Sequence, residues 1–75
     1  MRKGYYQTKG GYHARIDHDI SERPGIGVIR EIGYVLFFPN GEFALKDEYP
    51  EIGDSLDILL ETWQTERFPR QEVAS

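Results

Sequence analysis

The sequence predicts an α+β fold: a small antiparallel sheet of three or four strands with one C-terminal amphipathic helix packed on one face. Three observations predict it. Short alternating runs fill the first half of the chain, an Asn-Gly pair lies between two β-rich runs, and apolar residues recur at helical spacing after residue 54. The 75-residue length suits one domain, which we place at 1–68, with 69–75 as a flexible C-terminal tail.

Two short strands are expected before residue 33. Residues 12–16 alternate so that Tyr12, Ala14 and Ile16 share one face. Residues 26–32 show a second alternating pattern. Between the two runs, Pro24 presets φ for a turn and Gly25 supplies a position that accepts positive φ, so a loop is predicted at 21–25.

A hairpin is predicted around Asn40-Gly41. Asn-Gly is a favoured pair for a two-residue type I′ turn, because both central positions require positive φ. With this pair as the loop, Phe38 lies opposite Phe43 and Phe37 points to the other face. The predicted core face then consists of Leu36, Phe38, Phe43 and Leu45.

A helix is predicted from residue 54 or 55 to about residue 67. Asp54 or Ser55 can cap its first turn, and Pro69 disfavours the α conformation at Phe68. Four apolar side chains fall within one arc of the helical projection: Leu56, Leu59, Leu60 and Trp63. Acidic side chains lie on the opposite side of that projection, which is typical of a helix docked on a sheet.

The residue types do not predict catalysis or metal binding. The chain has no cysteine. A loop that begins at Asp17 fails the EF-hand pattern, because Glu22 stands at its sixth position, where glycine is required. His13 and His18 are five residues apart, which places them on opposite faces of a strand. No serine or threonine has a nucleophile-elbow context. We therefore expect a non-enzyme with no catalytic residue, metal or cofactor.

The sequence predicts a cytoplasmic protein with no membrane contact. The longest apolar run, residues 34–38, is far shorter than the roughly 20 residues that span a bilayer. The basic N-terminal residues are not followed by the apolar region of a signal peptide.

Charge is unevenly distributed along the chain. Residues 1–30 carry six basic and three acidic side chains, whereas residues 31–75 carry three basic and ten acidic ones. An acidic surface steers basic partners, so we hypothesise a small protein-binding inhibitor or regulator that occupies a basic surface of another protein. The predicted protein-binding residues are Asp47, Glu48, Tyr49, Glu51, Asp54, Asp57, Ile58, Glu61 and Phe37. Phe37 belongs to an apolar strip on the face of the hairpin opposite the predicted core. A homodimer that covers this strip is a further hypothesis.

The basic N-terminal segment supports an alternative function, nucleic-acid binding. Between residues 2 and 15 the segment combines basic and tyrosine side chains and contains no acid, a mixture that neutralises phosphates and stacks on bases. The candidate residues are Arg2, Lys3, Tyr5, Tyr6, Lys9, Tyr12 and Arg15. The net charge of −4 opposes long-range attraction to a phosphate backbone.

Two stretches carry a resemblance to a known family. The run from Gly33 to Pro39, followed by Gly53-Asp54-Ser55-Leu56, resembles the strand and helix start of HicB-type antitoxins. Here a hairpin arm and an acidic connector fill the gap between the two pieces, and no residue role is carried across. Small acidic phage proteins that block host or defence proteins offer a class-level analogy for the inhibitor hypothesis.

Overall fold

The computed structural model describes residues 1–67 and contains one five-stranded antiparallel sheet. The strands are β1 (Gly4–Thr8), β2 (His13–Ile16), β3 (Gly25–Ile29), β4 (Gly33–Phe37) and β5 (Ile58–Gln64). Their order in the sheet is β4-β3-β2-β1-β5, so β5 returns to pair with β1. The described residues contain no helix, and hence none that could cross a membrane. The predicted tail, 69–75, lies outside the described residues.

The core lies on the inner face of the sheet. Alternate residues of β1 to β4 are buried there, as Tyr6, Thr8, Ala14, Ile16, Gly27, Ile29, Val35 and Phe37. Gly27 permits this packing, because a Cβ at that position would lie 2.5 Å from Cδ1 of Ile16 and 3.0 Å from the ring of Phe37. The core is completed from outside these four strands by Ile20, Phe43, Leu56 and Ile58.

Residues 41–44 join the two edges of the sheet at one end. On the β4 side, Phe43 bridges Phe37, and the Ala44 N–H donates to the Leu36 carbonyl at 2.9 Å. On the β5 side, the Ile58 N–H donates to the Gly41 carbonyl at 2.8 Å. Because one short segment bonds to both β4 and β5, the sheet must curl until its two edge strands lie close together at this end.

Asp57 holds that segment against β5. Its carboxylate is 5 % exposed and accepts hydrogen bonds from the Phe43 N–H at 2.9 Å and the Lys46 ammonium at 2.7 Å. Its backbone carbonyl accepts from the Lys9 N–H at 2.9 Å, which also ties in the β1–β2 turn. The hydrogen bond to Asp57 raises the pKa of the Lys46 ammonium, so Lys46 carries its positive charge at neutral pH.

The predicted C-terminal helix is wrong, and with it the α+β fold class. Residues 58–64 form β5, and the segment expected to begin the helix consists of turns. Strand β1 explains the difference: without β5, its outer edge would expose a row of unpaired backbone groups. A register shift between Tyr5 and Gln7 interrupts the ladder, where the Gln7 N–H donates to Thr62 Oγ1 at 2.8 Å. Strand β5 therefore lacks the strict alternation that would have identified it.

The predicted type I′ hairpin is also wrong in its register. Gly41 has a φ of 95°, but no non-glycine residue among 1–67 has positive φ, so Asn40 cannot take the type I′ conformation. Phe43 consequently faces Phe37 instead of Phe38. A shift of one residue exchanges the two faces of a strand. Phe37 is therefore fully buried, and Phe38 is 39 % exposed.

Three strand predictions are confirmed, and β1 was missed in addition to β5. The runs at 12–16, 26–32 and 34–38 overlap β2, β3 and β4, with ends that differ by up to three residues. Strand β1 was not predicted, because the glycines at 4, 10 and 11 resemble loop punctuation.

We expect Asp57→Ala to lower the free energy of unfolding by about 1–3 kcal/mol, because the buried Phe43 N–H would lose its acceptor. Asp57→Asn should cost less, since an amide oxygen can still accept that bond. Urea denaturation measures both. Asp54→Ala is the control, because Asp54 is exposed and its 3.6 Å pair with Lys9 contributes little. Equal losses for the two alanine variants would contradict the role given to Asp57.

Candidate functional site

The predicted acidic residues separate into different parts of the structure. Four of them, Asp47, Glu48, Glu51 and Asp54, are exposed on residues 44–56. This segment is held in turns by its own backbone, for example by the Ile52 N–H donating to the Tyr49 carbonyl at 3.0 Å. Glu61 is exposed on β5 instead. The acidic surface is therefore a turn segment beside the sheet, not one face of a helix.

Three predicted binding residues lie in the core. Phe37 is fully buried, Asp57 is 5 % exposed and Ile58 is 6 % exposed. These side chains are therefore buried in the folded chain and not part of its exposed acidic surface. Their burial follows from the register of residues 37–43 and from the strand conformation of residue 58, neither of which the predicted helix and hairpin contained.

An apolar groove lies between β4 and the turn segment, with a volume of about 230 Å³. Its two sides are formed by Ile32, Tyr34 and Leu36 from β4 and the turn before it, and by Leu45, Tyr49 and Ile52 from residues 44–56. Tyr49 is fixed there by stacking on Phe43, with ring centroids 6.3 Å apart. Tyr34 is 83 % exposed, which is a large exposure for an aromatic residue in a strand. Exposed apolar side chains that cluster in this way are typical of interaction sites.

The turn segment beside the groove also carries exposed acids. Asp47 and Glu48 precede Tyr49 in the chain, and Glu51 precedes Ile52, so exposed carboxylates alternate with groove residues along the turn segment. Lys46 is directed to the Asp57 carboxylate at 2.7 Å and its charge is balanced there. The turn segment that forms this side of the groove is consequently acidic.

The structure separates most residues of the predicted nucleic-acid segment. Tyr6 is buried, its hydroxyl donates to the Arg2 carbonyl at 2.6 Å, and burial raises its pKa. The Arg2 guanidinium lies over the Trp63 ring at 3.8 Å, and Lys9 pairs with Asp54. Tyr12 is half-buried and packs against the core, and Lys3 donates its N–H to Asp19. The segment therefore does not form one continuous basic and aromatic surface.

Tyr5 and Arg15 are the exception, because their pairing across β1 and β2 places them side by side on the outer face of the sheet. They line a concavity of about 170 Å³ together with His13, Val28, Arg30 and Arg67. Three arginines thus line one small depression. Two acids offset part of the positive charge of these arginines. The Asp17 carboxylate lies 2.9 Å from Arg15 Nε, and the Glu31 carboxylate lies 2.7 Å from His13 Nδ1.

Hydrogen bonds from His13 govern the ionisation of Glu31. Burial pushes the pKa of Glu31 upward, but the backbone N–H and the ring of His13 both bond to the carboxylate, and together they lower that pKa below its ordinary value of 4.5. The contact ties the start of β2 to the β3–β4 turn and limits where the His13 ring can point.

Three of the polar residues considered for metal binding bond to other groups. Within residues 1–67, no three side chains of the metal-ligating types converge. In the 13–22 stretch, His13 bonds to Glu31, Asp17 to Arg15, and Asp19 to the Lys3 N–H.

Sequence reasoning missed the β4 side of the groove and part of the basic concavity. Ile32, Tyr34 and Leu36 alternate along the chain, and this was a usable signal, but the hairpin register assigned Leu36 to the core. Arg30 and Arg67 are distant from Arg15 in the sequence, and only strand pairing and the path of β5 bring them together.

Comparison with protein-family models, curated proteins and solved structures finds no match to this chain. The function must therefore be inferred from the surfaces themselves.

We expect the Glu31 contact to stabilise the fold above about pH 4.5 and to be lost as the pH falls through the lower pKa of the folded state. Glu31→Gln should lower the melting temperature at pH 7, and the difference from the parent protein should vanish in acid. Thermal unfolding between pH 7 and pH 3 measures this, and NMR titration of the carboxyl gives its pKa directly. A melting difference that persists unchanged at low pH would contradict the prediction.

Proposed function

We propose that the chain is a small, non-enzymatic, cytoplasmic protein-binding inhibitor or regulator. Its apolar groove and the acidic turn segment beside it bind a basic segment of another protein. The observation that carries the proposal is the groove between β4 and residues 44–56, because the segment that supplies its apolar side chains also carries exposed carboxylates. The partner segment therefore has apolar side chains for the groove and lysine or arginine beside them.

The charges and the apolar residues have different roles in this proposal. Asp47, Glu48 and Glu51 are exposed, so they attract a basic partner at long range and contribute mainly to the association rate. Tyr34 and Tyr49 are the candidate anchors, because aromatic side chains lose little entropy on binding and supply much of the energy of an interface. Phe37, Asp57 and Ile58 support the groove from inside and do not contact the partner.

We expect selection from a random-peptide library to enrich peptides with apolar residues flanked by lysine or arginine. For such a peptide, Asp47→Lys with Glu48→Lys should slow association at low salt by about tenfold or more, with a smaller effect on dissociation. Surface plasmon resonance at several salt concentrations measures both rates.

Tyr34→Ala should instead speed dissociation of the same peptide, by about tenfold if Tyr34 is a strong anchor.

The matched control is Glu22→Lys with Glu66→Lys. Both residues are exposed, neither lines the groove, and the change in net charge is the same. If this control slows association as much as the groove pair, overall charge and not the groove attracts the peptide. Enrichment of acidic peptides would contradict the proposal outright.

A second candidate function, nucleic-acid binding, is favoured by one observation. Arg15, Arg30 and Arg67 converge with Tyr5 on the basic concavity. Guanidinium groups bind phosphate, and an aromatic ring beside them can stack on an unpaired base. The ligand of this candidate is single-stranded nucleic acid, and its site is separate from the apolar groove.

If this second candidate holds, Arg15→Gln with Arg30→Gln should weaken binding of a labelled single-stranded oligonucleotide. It should also reduce the slope of log affinity against log salt by about 0.7 for each phosphate that the variant no longer neutralises. Fluorescence anisotropy measures both. Arg23→Gln is the control, because Arg23 is exposed in the loop before β3 and does not line the concavity. Equal weakening by the control, or no binding at low salt, would eliminate this candidate.

A further inference from the structure

Part of the β4 edge is unpaired within the described residues. Strand β4 is the last strand in the sheet order. Its end is covered by residues 42–44, since the Leu36 carbonyl accepts from Ala44 and the Phe38 N–H donates to the Glu42 carbonyl. Among residues 1–67, no strand pairs with the preceding residues, Gly33 to Val35, on that side.

The ladder shows which backbone groups face that open edge. Backbone groups of successive residues point to opposite sides of a strand. Leu36 and Phe38 bond away from β3, so Tyr34, two residues before Leu36, also directs its N–H and C=O away from β3. Val35, in between, faces β3. The open part of the edge therefore offers the N–H and C=O of Tyr34, and the N–H of Leu36 points to the same side.

The open part of this edge carries no charged residue and no proline to discourage pairing. Strand β4 reads Gly-Tyr-Val-Leu-Phe, with no charged residue and no proline. Natural sheets commonly guard an exposed edge with lysine, proline or a bulge, because an unguarded apolar edge is a template for another strand. The groove runs beside this same edge, so an added strand could place alternate side chains against Leu45, Tyr49 and Ile52.

From these observations we propose that the partner segment binds by adding a short strand to the β4 edge opposite Tyr34, with its alternate side chains in the apolar groove. This inference rests on the proposed protein-binding function and specifies its partner class: an extended, basic peptide segment. Main-chain hydrogen bonds supply affinity, and the groove supplies sequence preference.

Charge favours such a segment over a second copy of this chain. Pairing of two β4 edges would bring together two turn segments, each of which carries Asp47, Glu48 and Glu51 as exposed acids. Like charges at close range oppose that contact, whereas a lysine- or arginine-bearing strand is attracted to the same place. The possible homodimer is therefore not the occupant that we assign to this edge.

The test uses the full chain and a basic peptide selected from the random library, resynthesised with single N-methyl groups along its backbone. In strand addition, one peptide residue donates its N–H to the Tyr34 carbonyl, while the N–H groups of its two neighbours point away. Methylation of that one residue should weaken binding by about tenfold or more, and methylation of either neighbour should have little effect. The unmethylated peptide is the reference.

Amide hydrogen exchange supplies the matching measurement on the protein. Saturating peptide should slow exchange of the Tyr34 N–H by about tenfold or more, because that N–H gains an acceptor. The Val35 N–H is the internal control, since it faces β3 in the free protein and should change little.

The possible outcomes separate the two proposals. If no basic peptide is selected, both the proposed function and strand addition fail. If a basic peptide binds and depends on Tyr34 and Asp47, but N-methylation shows no single sensitive position and Tyr34 exchange is unchanged, the groove stands and strand addition is overturned. Concentration-dependent dimers whose interface protects Tyr34 without peptide would also overturn it, in favour of a second copy.

Discussion

The buried Asp57 carboxylate is the interaction on which the closed end of the sheet depends. A carboxylate in the core loses its hydration, a cost that only good partners can offset. Here the Phe43 N–H and the Lys46 ammonium supply those partners, and both belong to the segment between the sheet edges. The bonds therefore fix residues 43–46 against β5, keep Phe43 in the core, and set where the following acidic turns begin.

Closure at one end leaves the rest of β4 open, and this incompleteness creates the candidate site. Residues 42–44 cover the end of β4, while Gly33 to Val35 stay unpaired on that side within the described chain. The chain then continues in turns that place Tyr49 beside the same edge. A constraint needed for folding thus also brings together an apolar groove, an unpaired stretch of backbone and the start of an acidic turn segment.

Some of the candidate site could be predicted from the sequence, and the reasons are local. Asp47, Glu48 and Glu51 lie among turn-forming residues, and charged side chains in turns are usually exposed. The sequence places Asp57 and Ile58 on the same surface, but in the structure both are buried, as is the preceding Leu56. Phe43 pairs with Phe37 and not, as predicted, with Phe38. This one-residue difference in register exchanges the two faces of the strand, and the Asn-Gly pair alone does not determine it.

By itself, the sequence determined the charge segregation, the strands β2, β3 and β4, and a turn near Gly41, because each of these follows from residue types a few positions apart. Only the tertiary structure decided that residues 58–64 form a strand. Their leucines suit a helix of period 3.6, but the unpaired edge of β1 offers a ladder of backbone hydrogen bonds that no local pattern reveals. The same long-range pairing decided which faces are buried, since strand register is fixed by residues far apart in the chain.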